Sequence, residues 1–200
     1  VKNKAILSGV IEKFPPNSKF VIGIGYKGNQ VVEYVEAAYP DYDTTFVEID
    51  NYDRSGSGPG YSLLQCKPQL REEPFYFTVS DAIYNFEIPL GLHENWVGVS
   101  RVNYAISHNY CNFTIEGCRI VDMENKRPYK NKHSKSFVGL AYVHSVDSFW
   151  RGIEDDYQSC GEHQMTNGIQ SLIKEELLKP IDVDWIDVGS FEKYLDIYDK

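Results

Sequence analysis

Apolar positions along the chain recur with two periods. Ala5, Ile6, Leu7, Val10, Ile11 and Phe14 stand three to four residues apart and stop at Pro15-Pro16, which predicts an amphipathic helix ended by proline. Residues 20–24 are short, apolar and β-branched and predict a strand. Gly25-Tyr26-Lys27-Gly28 follows, then a helix with Val31, Val32, Tyr34, Val35 and Ala38 on its apolar face, closed by Pro40. Residues 44–49 predict the next strand, and residues 75–79, beyond another helix, its partner. Strand, helix, strand, helix, strand at this spacing implies βαβ crossovers and parallel pairing. From about Trp96 strands predominate, over 96–102, 110–115 and 119–123, with a hairpin turn at Glu116-Gly117, and over 137–143. Helices over 147–153 and 164–178, a strand over 181–186 and a helix over 191–198 complete the pattern. The expected architecture is a three-layer α/β/α domain with a mixed, mainly parallel sheet, forming a single domain over residues 1–200.

Composition narrows the function. Hydrophobic residues make up 42% and charged residues 24% of the 200 positions, which is globular and excludes disordered, collagenous and coiled-coil chains. Twenty Lys and Arg against 29 Asp and Glu leave a net charge of −9, with no long basic block. Nucleic-acid and anionic-membrane binding both need a positive footprint and are not expected. No apolar run approaches the ~20 residues that span a bilayer, and no signal segment opens the chain, so a cytoplasmic protein is expected. The chain opens on Val1 rather than Met, directly on a helical pattern, so residues are expected to precede it. Cys66, Cys111, Cys118 and Cys160 show no metal-ligand spacing and read as free thiols. Asn112-Phe113-Thr114 matches a glycosylation triplet and reads as a chance match. The five histidines have no mutual spacing that suggests metal or base chemistry.

Four segments carry candidate chemistry. Gly23-x-Gly25-x-x-Gly28 lies between a strand and a helix, with Glu48 and Asp50 about twenty residues on, and matches a dinucleotide-binding fingerprint. Against that, a helix precedes the strand, and Gly23 lies inside the apolar run where close packing explains it. An NAD-dependent oxidoreductase is therefore the alternative reading. Ser55-Gly56-Ser57-Gly58-Pro59-Gly60 precedes a helix, and such a turn presents free backbone N–H groups to a phosphate or a base edge. Asp81 stands at the carboxyl end of a strand, where α/β folds bind ligands, with a helix cap as the competing role. Asp187, in Trp185-Ile186-Asp187-Val188-Gly189-Ser190, is a second acid at a strand end, and two such acids could share one Mg²⁺.

In this order the segments resemble the sugar-phosphate nucleotidyltransferases, the pyrophosphorylase and cytidylyltransferase enzymes with a GT-A-like fold. The resemblance runs through Gly25-Tyr26-Lys27-Gly28, Gly58-Pro59-Gly60-Tyr61-Ser62-Leu63-Leu64, Ser80-Asp81, Glu124-Asn125-Lys126-Arg127-Pro128 and Trp185 to Ser190. It is greatest for the branch acting in capsule and surface-polysaccharide assembly. The resemblance implies a Mg²⁺-dependent enzyme that joins a nucleoside triphosphate, CTP favoured over UTP or dTTP, to a phosphorylated sugar or small phosphate and releases pyrophosphate. It implies that Asp81 and Asp187 hold the metal, that Lys126 contacts the acceptor phosphate, and that Ser57, Gly58, Pro59 and Gly60 bind the nucleotide base. Val97, Gly98 and Gly139 would line the acceptor pocket. A homo-oligomer or a fusion to a further domain is compatible with it. The family's opening Gly-x-Gly-x-Arg loop is missing from this sequence, so the chain is either trimmed at its start or a catalytically inactive nucleotide-binding relative. Asn125 also interrupts the Glu-Lys-Pro match, leaving Arg127 and Lys130 as alternatives to Lys126.

Overall fold

The computed structural model describes residues 4–70, 72–155, 158–159, 161–175 and 178–198. The chain runs α1 (Ile6–Ile11), β1 (Lys19–Ile24), α2 (Gly28–Ala38), β2 (Asp43–Glu48), α3 (Pro59–Cys66), β3 (Phe75–Thr78) and β4 (Ala82–Tyr84). It continues through β5 (Trp96–Ser100), β6 (Cys111–Glu116), β7 (Arg119–Asn125), β8 (Lys135–Val143), α4 (Val146–Glu154), β9 (Gln158–Ser159) and β10 (Glu162–His163). Then come α5 (Thr166–Lys174), β11 (Lys179–Asp182), β12 (Trp185–Asp187) and α6 (Phe191–Tyr198). These elements fall into two units. One takes residues up to 14, 74–144 and 173 onward; the other takes 15–73 and 145–172.

In the second of these units β1 and β2 pair in parallel, Lys19 opposite Asp43 through Ile24 opposite Glu48, with α2 as the crossover. Pro59, whose fixed φ suits the first helical turn, starts α3. The backbones of α4 and α5 approach closely. A Cβ on Gly168 would meet the Phe149 ring at 2.5 Å, and Phe149 is fully buried.

The other unit is organised by β8, buried from Ser136 to Val143. A strand apolar on both faces needs neighbours and cover on both sides. β8 accordingly pairs β5, β6 and β3, and the sheet extends in the order β11-β5-β8-β6-β7. Trp96, Tyr84, Leu140, Val138, Tyr142, Ala82, Ile88 and Val183 form the core on one face, closed by Val10 of α1. Gly139, with φ +79°, allows the irregular β5–β8 register, where Val97 opposes Ala141 but Val99 opposes Phe137. The β6–β7 hairpin turns at Gly117, whose φ of +60° is what a two-residue hairpin loop demands.

The α/β class, the mixed sheet, the hairpin and the closing helix are as expected. The strand partners depart from expectation. Residues 75–79 were expected beside 44–49, yet β3 runs antiparallel to β8, Phe75 opposite Val143. Among the described residues only the β1–β2 and β5–β11 ladders are parallel, so the sheet is not mainly parallel. The βαβ pattern holds only for β1 and β2; beyond it the buried β8 run recruits whichever apolar strands can cover it. The strand expected over 181–186 is two: β11 pairs β5 in parallel, and after Val183-Asp184 the chain turns to pair β12 antiparallel with β4, a short strand with no clear sequence signal. The helix expected over 164–178 is shorter, Thr166–Lys174. No helix of the described residues is long and apolar enough to cross a membrane.

Asn112 ties two loops to this sheet. It is 4% exposed, and its amide donates to Ser107 O at 2.7 Å and Arg127 O at 2.6 Å while its oxygen accepts from Ser136 Oγ at 2.7 Å. Both amide hydrogens are committed, which agrees with reading the glycosylation triplet as chance. Cys66, Cys111 and Cys118 are free thiols; Cys160 lies outside the described residues. Burial pushes the Cys66 thiol up to about 11, as suits an unreactive core cysteine.

Gly168→Ala forces a methyl into the Phe149 ring and is expected to lower stability by about 1–3 kcal/mol, whereas Gly9→Ala, in α1 with nothing within 4 Å of the new Cβ, gains about 0.5–1 kcal/mol; urea titrations of both variants check the opposite signs. Asn112→Ala leaves the buried Ser107 carbonyl and the part-buried Arg127 carbonyl without their donor and is expected to cost about 1–3 kcal/mol, with faster amide exchange over residues 103–109 and 126–129.

Candidate active site

The two expected metal acids meet because β4 and β12 pair antiparallel. Asp187, the last residue of β12, lies opposite Ala82, and the Val188 N–H donates to the Asp81 carbonyl at 2.9 Å. A Cβ placed on Gly189 would stand 2.8 Å from Asp81 Oδ2 and 3.2 Å from Asp187 Oδ1. Both carboxylates therefore face the space that this glycine leaves open.

The two acids differ in their surroundings. Asp187 Oδ2 accepts the Tyr110 phenol at 2.6 Å and the Lys193 ammonium, and its Oδ1 accepts the Gly189 N–H at 2.9 Å. Burial opposes the charge on Asp187, but these donors outweigh it and hold the carboxyl below the usual range. Lys193 shows the reverse balance: burial disfavours its charge, yet Asp187 raises its pKa above the ordinary value. Burial first, then the Asp187 carboxylate, raise the Tyr110 phenol. Asp81 is exposed and its side chain has no hydrogen-bond or ion-pair partner among the described residues.

Tyr110 and Lys193 carried no sequence signal for this site. Tyr110 arrives from just before β6, 77 residues away in the chain, and its ring meets the edge of Trp185 at 5.8 Å. Lys193 stands in the first turn of α6, its N–H donating to Ser190 Oγ at 3.3 Å, an arrangement typical of an N-cap serine. That cap is readable from Ser190 onward; the aim of the lysine is not.

Lys126 follows β7 with φ +50°, and its N–H donates to the Tyr110 carbonyl at 2.9 Å. The lysine is thus anchored through its backbone to the residue that holds Asp187. Lys130, an alternative phosphate contact, pairs with Asp122 at 2.8 Å. Val97, Gly98 and Gly139 belong to the bulged β5–β8 pair. Val97 is buried, a Cβ on Gly98 would meet Val138 Cγ2 at 2.7 Å, and one on Gly139 would meet Val79 Cγ2 at 2.5 Å. Core side chains already fill the space these glycines leave.

The second unit holds the glycine-rich turn. Gly56 bridges Glu162, with the His163 N–H donating to Gly56 O at 3.0 Å. A Cβ on Gly58 would stand 2.6 Å from His163 O, and one on Gly60 2.6 Å from Gln164 O. These two glycines are required by backbone crowding against residues 162–164. Ser57, Gly58, Pro59 and Gly60 form the start of α3, where the Ser62 N–H donates to Gly58 O at 3.1 Å. The turn is braced from the other side. Asp50 accepts the Tyr61 hydroxyl and Gln65 Nε2, the latter at 2.8 Å, and the Arg54 guanidinium lies 4.3 Å from the centre of the Tyr61 ring. Buried His163 meets the Ile153 carbonyl at 2.7 Å through Nε2, a core role.

The dinucleotide fingerprint folds as a strand-to-helix turn. Gly23 lies within β1, its open side against Ile49 Cδ1 at 3.2 Å, and Gly28 begins α2. A cavity of about 430 Å³ opens here, lined by Gly25, Lys27, Gly28, Asn29 and Glu48 among others. Of the two fingerprint acids, Asp50 is engaged by Tyr61 and Gln65 and only Glu48 borders the cavity.

Among the described residues no group of three or more His, Cys, Asp or Glu gathers as a metal cage. The two carboxylates could hold an ion that completes its shell with water and substrate oxygen, which is the habit of Mg²⁺.

No protein-family model matches the chain, and no curated protein matches it by sequence. Its structure is similar to that of a UDP-glucose pyrophosphorylase complexed with UDP-glucose, at TM-score 0.79 and 15% identity over 98% of this chain and 86% of that one. It is similar also to a nucleoside-diphosphate-sugar pyrophosphorylase from Vibrio cholerae, at TM-score 0.74 and 13% identity over 99% and 88%. A CTP:phosphocholine cytidylyltransferase from Streptococcus pneumoniae aligns at TM-score 0.68 and 15% identity over 100% and 86%. The chain has the mixed α/β fold that these pyrophosphorylase and cytidylyltransferase structures share.

Proposed function

We propose that this protein is a Mg²⁺-dependent nucleotidyltransferase that joins a nucleoside triphosphate, CTP in the first instance and UTP or dTTP otherwise, to a phosphorylated sugar or small phosphate acceptor. The proposed setting is surface-polysaccharide biosynthesis in the cytoplasm. The observation that carries the reading is the convergence of Asp81 and Asp187 over Gly189; the shared fold supports it. In the reaction an acceptor phosphate oxygen attacks the α-phosphorus, the bond from that phosphorus to the bridging oxygen breaks, and pyrophosphate leaves with that oxygen.

Such a step brings polyanions together and needs no protein nucleophile, so positioning and charge carry it. Asp81 and Asp187 would hold the metal, which when bound offsets phosphate charge. Tyr110 and the Gly189 N–H fix the Asp187 carboxylate so that it need not reorganise. Lys126 would take an oxygen of the acceptor phosphate. Backbone groups of Ser57, Gly58, Pro59 and Gly60 would read the base. Val97, Gly98 and Gly139 would bound the acceptor by shaping the sheet rather than by presenting side chains.

The test is pyrophosphate release with CTP, UTP, dTTP or GTP against several phosphorylated acceptors, with calorimetric nucleotide binding alongside. Mg²⁺-dependent release is expected, falling by about 100-fold or more in Asp81→Asn. Nucleotide binding without release from any pair would identify an inactive nucleotide-binding relative. Stabilisation by NAD and by none of the triphosphates would favour the oxidoreductase alternative.

A further inference from the structure

Resting on the proposed metal site, one further residue acquires a role. Among the described residues the pair Asp81 and Asp187 is served by one ammonium, which lies on Asp187. Lys193 donates to Asp187 Oδ2, the oxygen that also accepts from Tyr110. Its Nζ stands 3.4 Å from the Tyr110 hydroxyl and 5.8 Å from the centre of the Tyr110 ring. The Lys193 side chain is 44% exposed while that of Asp187 is 21% exposed. The lysine thus reaches a half-buried carboxylate from the solvent side, on a stem that can swing away. Asp187 would remain fixed by Tyr110 and the Gly189 N–H if the ammonium left.

We infer that Lys193 is a resident cation that competes with the divalent metal for the charge of Asp187, so that its presence lowers metal affinity. The ammonium sits on Oδ2 and the open space at Gly189 is faced by Oδ1, so a metal there would share the charge of one carboxylate with the lysine, and the two cations repel across it. The ammonium on Asp187 therefore weakens metal binding, and its removal strengthens it. A merely structural lysine gives the opposite sign: its loss would loosen α6 and the carboxylate together, and weaken the metal.

Titration with Mn²⁺ alone, read by the electron paramagnetic resonance of the free ion, separates these cases without any turnover. For an exposed ion pair of this kind Lys193→Met is expected to tighten Mn²⁺ by about 5-fold, with Lys193→Arg staying near the wild-type value. Unchanged or weaker Mn²⁺ binding in Lys193→Met, in a protein whose circular dichroism and melting curve are unaltered, would overturn the competition while leaving the metal site standing. If Asp187→Asn binds Mn²⁺ as well as the wild type does, the metal site itself is wrong and the competition is overturned with it.

Discussion

Two like charges held side by side are the constraint on which the site depends. Carboxylates that face one small space repel, and nothing in their own chemistry keeps them there. The backbone does: the β4–β12 ladder places Asp187 opposite Ala82, and the Val188 N–H locks onto the Asp81 carbonyl. The absence of a side chain at Gly189 leaves the space between the carboxylates open. A Cβ there would come within 2.8 Å of Asp81, inside ordinary van der Waals contact. This short ladder is anchored through β4, whose Ala82 and Tyr84 lie in the core with Trp96 and Leu140.

The asymmetry between the acids follows from what surrounds them. Asp187 is pinned by three donors from two chain segments, Tyr110 from one and Gly189 and Lys193 from the other, each satisfied without a metal. Asp81 depends on solvent or a ligand. A pair built this way has one rigid and one adaptable member, which suits an ion that keeps several of its positions for substrate and water. Tyr110 does two things at once: its hydroxyl orients Asp187, and its backbone carbonyl accepts the Lys126 N–H. One residue therefore couples the orientation of the proposed metal acid to the position of the proposed phosphate contact.

Local period made the helices and most strands legible, because each element's own residues decide it. α2, the β6–β7 hairpin and α6 needed nothing beyond spacing and turn chemistry. Strand partnership was less legible, because it is settled between distant segments competing for the same buried surface. The Phe75–Thr78 sequence is equally consistent with a place beside β2 or β8, and only the fully buried β8 decides for β8. The break at Val183-Asp184 escaped for the same reason: 181–186 reads as one strand with Asp182 and Asp184 alternating with apolar residues, yet its halves serve different sheets. At the site, Asp81 and Asp187 were readable as acids at strand ends. Tyr110 and Lys193 were not, since a tyrosine among fifteen and a lysine in a surface helix carry no mark of the acid they meet.

The glycines divide along the same line. Gly58 and Gly60 look like a cradle for a ligand, yet their missing side chains admit the backbone of residues 162–164. Any base contact there must come from the outward N–H and carbonyl groups, which the glycines position indirectly. Gly189 is different, because the atoms nearest its missing Cβ are carboxylate oxygens. The protein's overall charge of −9 would repel a triphosphate. On the proposed reading, metal-free Asp81, Asp187 and Lys193 together are still net negative, and entry of a divalent ion beside the ammonium makes the cluster net positive. The sign of the site would then depend on the metal, and phosphate would be attracted only once the metal is there to act on it.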